Sequence, residues 1–191
     1  MSWKNLYLIK LSPDKVIDES ASTYRKYYSI PAAKRFVETG ESHKTDSHWT
    51  RLASQSLSHI TMADHLIIVA HGSVDRVGNA GPNGLANMLK SYGLEEAGLI
   101  SFKCCHVGRQ SFLEDFLKAA DKSNIKIGWV KGYRGRAATE FGGLMKPREI
   151  VTHKNSLGYK FGSKRYKIVK GKHSHKVGFD GILKIVDDDE E

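Results

Sequence analysis

Long apolar runs are missing from this 191-residue sequence. No stretch approaches the roughly 18 residues that a membrane-crossing helix needs, so no span is expected. The opening residues, MSWKNLYLIKLSPDK, hold too short an apolar stretch and no small-residue cleavage site, so no secretory signal is read there. Cysteine is scarce, with one adjacent pair at positions 104 and 105. Such a pair makes no disulfide framework, and a reducing compartment is the natural setting. The expected location is cytoplasmic, although a protein delivered into a host cell's cytosol would have the same composition.

Acidic residues are nearly absent from one long stretch. Residues 122–176 hold 15 Lys/Arg against only Glu140 and Glu149, a balance of +13. Residues 1–121 are close to neutral at +1, and residues 177–191 carry −5, most of it in the tail DDDEE. The net charge of +9 therefore belongs to one segment. Thirteen net charges so close together repel one another unless something compensates them, which points to a polyanion of some kind as partner, the alternative being a solvated basic surface kept for solubility.

The chain is 40% hydrophobic, enough for one core, and its length favours one domain. NLYLIKL (5–11) reads as a first strand closed by Ser12-Pro13. Residues 21–40 read as partly helical, with Pro31 opening a helix that stops at Gly40. WTRLASQSLSHITMA (49–63) has apolar residues at helical spacing. HLIIVAHG (65–72) and GLISFKCC (98–105) are continuous apolar runs of strand length, the pattern of strands covered on both faces. Between them lie a glycine-rich loop and a short helix, LANMLKSYGL. A helix, RQSFLEDFLKAADKS, and a third strand, NIKIGWVKGY, follow. Beyond residue 133 the texture turns to β-prone pieces rich in lysine and glycine, with RYKIVKG and GILKIV as antiparallel partners.

Strand–helix alternation predicts an α/β fold with a mostly parallel sheet flanked by helices. The expected organisation is a single domain: an α/β core over 1–133, a basic β-hairpin or flap over 134–186, and the acidic tail 187–191.

Reactive groups in such sheets collect at the carboxyl ends of the strands. His71-Gly72 and Cys104-Cys105-His106 stand at two such ends, joined by one crossover. If the strands are neighbours, histidine and cysteine open onto the same edge, as a cysteine nucleophile and its base require. Gly72 would let a backbone N–H approach a substrate. A cysteine at the start of a helix from about Arg109 would feel its positive end, which favours a thiolate.

An apolar strand ending in His71-Gly72, then a loop, a helix and a second strand ending in Cys105-His106-Val107-Gly108, resembles the caspase-like cysteine peptidases. These include caspases, legumains, gingipains, separase and the self-processing protease domains of large bacterial toxins. The resemblance covers roughly residues 5–133 and rests on two short motifs, with His71 and Cys105 34 positions apart. Matching Gly108 makes Cys105 the nucleophile and Cys104 its small structural neighbour.

The resemblance implies that Cys105 attacks a peptide carbonyl of a protein substrate or of the chain itself. His71 would protonate the leaving amine, and the N–H groups of Gly72 and Cys105 would hold the oxyanion. It implies no cofactor for the chemistry. Lys103 stands where caspases carry Gln or an acid, so their preference for Asp is not supported. The toxin subgroup adds a basic β-flap pocket that binds inositol hexakisphosphate as an activator. The matching cations are Lys160, Lys164, Arg165, Lys167, Lys170 and Lys172, with Arg25, Lys26, Lys34 and Arg35 closing the pocket from the other side. Strand alternation would send Arg165 and Lys167 to one face, Tyr166 and Ile168 to the other.

Two readings compete. The basic segment could make a nucleic-acid-binding module, although its aromatics (Tyr159, Phe161, Tyr166) are scattered and His71 and Cys105 go unexplained. The run LIIVAHGSVDRVGNAG also resembles the strand end of cobalt-chelatase-like enzymes, which would make the protein a metal-handling enzyme dependent on His71 but not on Cys105. No metal site is expected: Cys104, Cys105 and His106 are too crowded for one tetrahedral zinc, and KHSHK (172–176) reads as a solvated loop.

Overall fold

The structure, a computed structural model, describes residues 3–12, 14–38, 49–140, 148–155, 158–160 and 166–174. It is an α/β fold built on a seven-stranded, mostly parallel sheet. The strands are β1 (Asn5–Lys10), β2 (Arg35–Val37), β3 (Thr50–Arg51), β4 (Asp64–Val69), β5 (Glu96–Lys103), β6 (Lys126–Tyr133) and β10 (Tyr166–Lys170), in the order β10-β6-β5-β4-β1-β2-β3. Only β10 runs antiparallel, against β6. A separate antiparallel sheet holds β7 (Arg136–Glu140), β8 (Arg148–Asn155) and β9 (Gly158–Lys160).

Three helices follow from amphipathic spacing. α1 (Lys15–Tyr27) buries Ile17, Ala21 and Tyr24, one stripe at a helical period, against Leu8, Ile67 and Val69. α2 (Pro82–Ser91) starts with proline at its first position, where the missing N–H costs nothing. α3 (Phe112–Lys122) buries Phe112, Leu113, Phe116, Ala119 and Ala120. Phe102 of β5 meets Phe112 and Phe116 edge-on at centroid distances of 5.8 and 5.1 Å. α2 and α3 belong to the larger apolar core, and α1 packs on the opposite face of the sheet.

Three expectations are corrected. The first helix begins at Lys15, not Ala21, and Pro31 opens only a 3-10 turn (Ala32–Lys34). Arg35-Phe36-Val37 is β-prone and finds a partner in β1, so a strand takes the place of the second half of that helix. Residues 49–63 form β3 and then turns. Leu52, Leu57 and Ile60 are buried as helical spacing suggested, but Gln55 has φ +68. Ser56 accepts the Ala53 N–H through its hydroxyl, and the Ser58 hydroxyl bonds the Gln55 carbonyl, so side chains take the place of helical bonds. Finally, β10 joins the main sheet rather than a separate flap; its expected partner, 181–186, lies outside the described residues.

Candidate active site

The strand order reverses between β1 and β4, since β2 and β3 lie on one side of β1 and β4, β5 and β6 on the other. In open α/β sheets the crevice beyond the carboxyl ends at this point is where ligands bind. His71 follows β4 there. β4 and β5 are parallel neighbours with Val69 opposite Lys103. Both strands end at this pair, so His71 and Cys105 each stand two residues beyond paired positions on adjacent strands.

Gly72 makes the closeness concrete. A Cβ added there would stand 2.7 Å from Cys104 Cβ, 2.7 Å from the Cys105 carbonyl oxygen and 3.1 Å from the Cys105 nitrogen. The turn after β4 is therefore pressed onto the turn after β5, and only glycine fits between them. Intramolecular packing thus requires this glycine, where substrate approach was the expected reason.

The sequence leaves open whether Asp64, Asp75 or another carboxylate orients His71, and the structure gives that place to Asp14. Asp14 Oδ2 lies 2.6 Å from His71 Nε2. The other oxygen, Oδ1, accepts the Ile17 N–H at 2.9 Å and caps α1. That backbone bond, then the one to His71, holds the Asp14 carboxyl below its ordinary range. An ionised carboxylate only accepts, so the proton of this contact sits on Nε2 and a neutral imidazole presents Nδ1 as its acceptor. Asp64 and Asp75 are engaged elsewhere. Asp64 accepts from Asn5 and Thr61 at the amino end of the sheet, and Asp75 from the Ser73 hydroxyl. Aspartate before a helix is an N-cap signal, and it marks Asp14 once the helix starts at Lys15 rather than at Ala21.

The two cysteines part ways. Cys104 is buried in the core, and its thiol contacts the Ile68 carbonyl at 3.8 Å. Burial pushes that thiol far up from its ordinary pKa. Cys105 is half-buried in the turn that follows β5. Cys105 does not sit at a helix N-terminus, because α3 begins at Phe112 after a turn. The dipole fades within the first turn of a helix, so it is no source of activation here. The intervening turn is pinned instead. His106 has φ +63 and donates its N–H to the Gly135 carbonyl at 2.9 Å, and Gly108 donates to the Tyr133 carbonyl at 2.8 Å. A Cβ at Gly108 would lie 2.3 Å from the Gly132 oxygen, which explains the glycine three residues after Cys105.

On the α1 face of the sheet, around Lys103, lies a cationic and aromatic cluster. The Lys103 ammonium stands 5.1, 5.3 and 5.8 Å from the rings of Tyr24, Tyr133 and Tyr166. Lys131 of β6 stands 3.8 Å from the Tyr166 ring. Both lysines are buried, and the Tyr24 and Tyr133 hydroxyls are 2.9 Å apart. Nearby, His65 shares a 2.8 Å hydrogen bond with Ser101, and burial, with Lys103 and Lys131 adding to it, lowers its pKa to about 3.

The cations suggested for a polyanion do not converge among the described residues. Lys34 bonds Asn5 and Arg35 bonds the Ile30 carbonyl, both beside β2. Five strand spacings, roughly 24 Å, separate β2 from β10. Lys167 pairs with Glu114 at 2.5 Å and Lys172 pairs with Asp121, both toward α3. Tyr166 and Ile168 do face away from Lys167, as alternation predicts. Lys170 is exposed near Trp129, and Arg25 and Lys26 occupy the last turn of α1. Lys160 belongs to β9, and Lys164 and Arg165 lie outside the described residues. Among the described residues no three metal-ligating side chains cluster, and no helix is long and apolar enough to cross a membrane. No family model matches the chain, and no curated protein matches it.

Proposed function

We propose that the protein is a cysteine peptidase with the architecture of the caspase-like enzymes, Cys105 its nucleophile and His71 its acid and base. The observation that carries this reading is the pressing of the His71-Gly72 turn onto the Cys105 backbone, with His71 anchored by Asp14. Imidazole Nδ1 takes the Cys105 proton, and the thiolate sulfur attacks the peptide carbonyl. Its carbon–oxygen π pair moves to oxygen, where the N–H groups of Gly72 and Cys105 are the donors. Collapse breaks the C–N bond, Nδ1 returns the proton to the leaving amine, and water then hydrolyses the acyl-enzyme. The substrate is a protein or a segment of the chain itself. A small polyanion of the inositol hexakisphosphate kind belongs to the same proposal as activator, supported by the +13 balance of residues 122–176. Cytosolic action, native or after delivery into a host, goes with it.

The test is iodoacetamide labelling at pH 6 of wild type, His71→Ala and Asp14→Asn, with and without inositol hexakisphosphate, with the labelled cysteine identified by fragment-ion sequencing. An unactivated thiol is only about 0.3% ionised at that pH. Fast labelling confined to Cys105 and slowed in His71→Ala is expected. Equally slow labelling of both cysteines in every sample would overturn the assignment, and no effect of the polyanion would remove the activator.

A further inference from the structure

A groove of about 430 Å³ runs between α3 and the β10 side of the sheet, away from the Cys105 edge. Its apolar lining comes from Leu117, Ile125, Ile127 and Val169. Four lysines stand around it, at 118, 122, 170 and 172, against two acids, Glu114 and Asp121. The ion pairs leave two rim lysines over: Glu114 pairs with Lys167, Asp121 with Lys172 and His173, and Lys118 with Asp115, while Lys122 and Lys170 have no ion-pair partner among the described residues. An aliphatic trough with a cationic rim suits an occupant that is apolar along one stretch and acidic along the next.

The chain contains one such stretch. Residues 181–191 read GILKIVDDDEE, with Ile182, Leu183, Ile185 and Val186 followed directly by five acids. They lie outside the described residues and begin seven positions after Ser174, the last that is described. Seven extended residues reach up to about 25 Å. Little of that reach is needed, because Gly171, Lys172 and His173 already line the groove. Charge points the same way: the −5 of residues 177–191 is the compensation that the +13 of residues 122–176 lacks within itself.

We propose that residues 182–191 dock in this groove, the aliphatic block against Leu117, Ile125, Ile127 and Val169 and the acids among the rim lysines. A tethered segment has an effective concentration in the millimolar range, so modest contacts keep it seated.

The test uses the full-length chain with the photo-cross-linker p-benzoylphenylalanine in place of Lys118, whose side chain is 74% exposed. Irradiation should give a cross-link within one molecule, mapped by mass spectrometry to residues 182–191. The same probe at Val16, 61% exposed on α1 across the sheet, should give none to that segment. Adding Lys122→Glu and Lys170→Glu should lower the yield from position 118 about tenfold, with circular dichroism unchanged. Cross-links joining two copies, cross-links only to other segments, or equal yields from positions 118 and 16 would overturn the proposal. An unchanged yield in the charge-reversed chain would overturn the role of the acids.

Discussion

The two faces of the central sheet are built on different chemistry. Toward α2 and α3, β4, β5 and β6 present Leu66, Ile68, Ile100, Phe102 and Val130, all apolar and fully packed. Toward α1 the same strands alternate Ile67, Val69 and Leu99 with His65, Ser101, Lys103 and Lys131, all buried. The contrast teaches where each kind of residue is tolerated. The first face supplies cohesion through apolar burial. The second carries groups whose burial costs free energy unless paired, and it is the face on which His71 meets Asp14 at the start of α1. Buried polar residues in native folds concentrate where function demands them.

This difference can be broken or sharpened by substitution. Phe102→Ala, which empties the centre of the aromatic trio on the apolar face, should cost about 3–5 kcal/mol in urea unfolding. On the polar face, the effect should appear as a pH dependence. His65 titrates near its ordinary value when unfolded but at about 3 when folded, so the unfolded chain binds the extra proton between these limits. Its contribution is fully present above pH 6.5 and is lost as pH falls, by about 1.4 kcal/mol per unit and about 3 kcal/mol by pH 4. His65→Gln keeps a hydrogen-bonding partner for Ser101 and should flatten this slope; a slope equal to wild type would show that other groups set it.

Between the faces, Gly72→Ala forces the two turns apart and should cost about 1–3 kcal/mol. Alkylation of Cys105 should slow even where the variant remains folded, as followed by rate at fixed temperature. The smallest effect on stability belongs to Asp14→Asn. Asparagine still caps α1, so the unfolding free energy should hold to within a few tenths of a kcal/mol. The pH–rate profile of the proposed peptidase should nevertheless shift, because the charge facing His71 is gone. An unchanged profile would reduce Asp14 to a helix cap.

Much of the fold was legible where one period dominates. Residues 66–69 and 97–102 are apolar but for Ser101, and they lie in the two central strands. Strand-end logic expected His71 and Cys105 to follow two neighbouring parallel strands, and β4 and β5 are such neighbours. Legibility failed where local and distant forces compete. Leu52, Leu57 and Ile60 keep a helical spacing, yet serine side chains and a left-handed Gln55 bend the segment into turns. Arg35–Val37 follows a proline that suits a helix, and β1 claims it instead. Asp14 is 57 residues from His71, and no short-range pattern encodes that contact. The lysine and tyrosine cluster is hidden for the same reason, because Tyr24, Lys103, Lys131 and Tyr166 meet only through the order of the strands and the seating of α1.

The shared carboxylate of Asp14 ties two events into one. One oxygen closes the first turn of α1 and the other fixes the imidazole, so the ring keeps its orientation only while that turn is formed. Local opening of a terminal helical turn costs far less than global unfolding. Hydrogen exchange at the Ile17 amide therefore reports the fraction of molecules in which His71 is held by Asp14, and a ligand that slows that exchange favours the aligned ring.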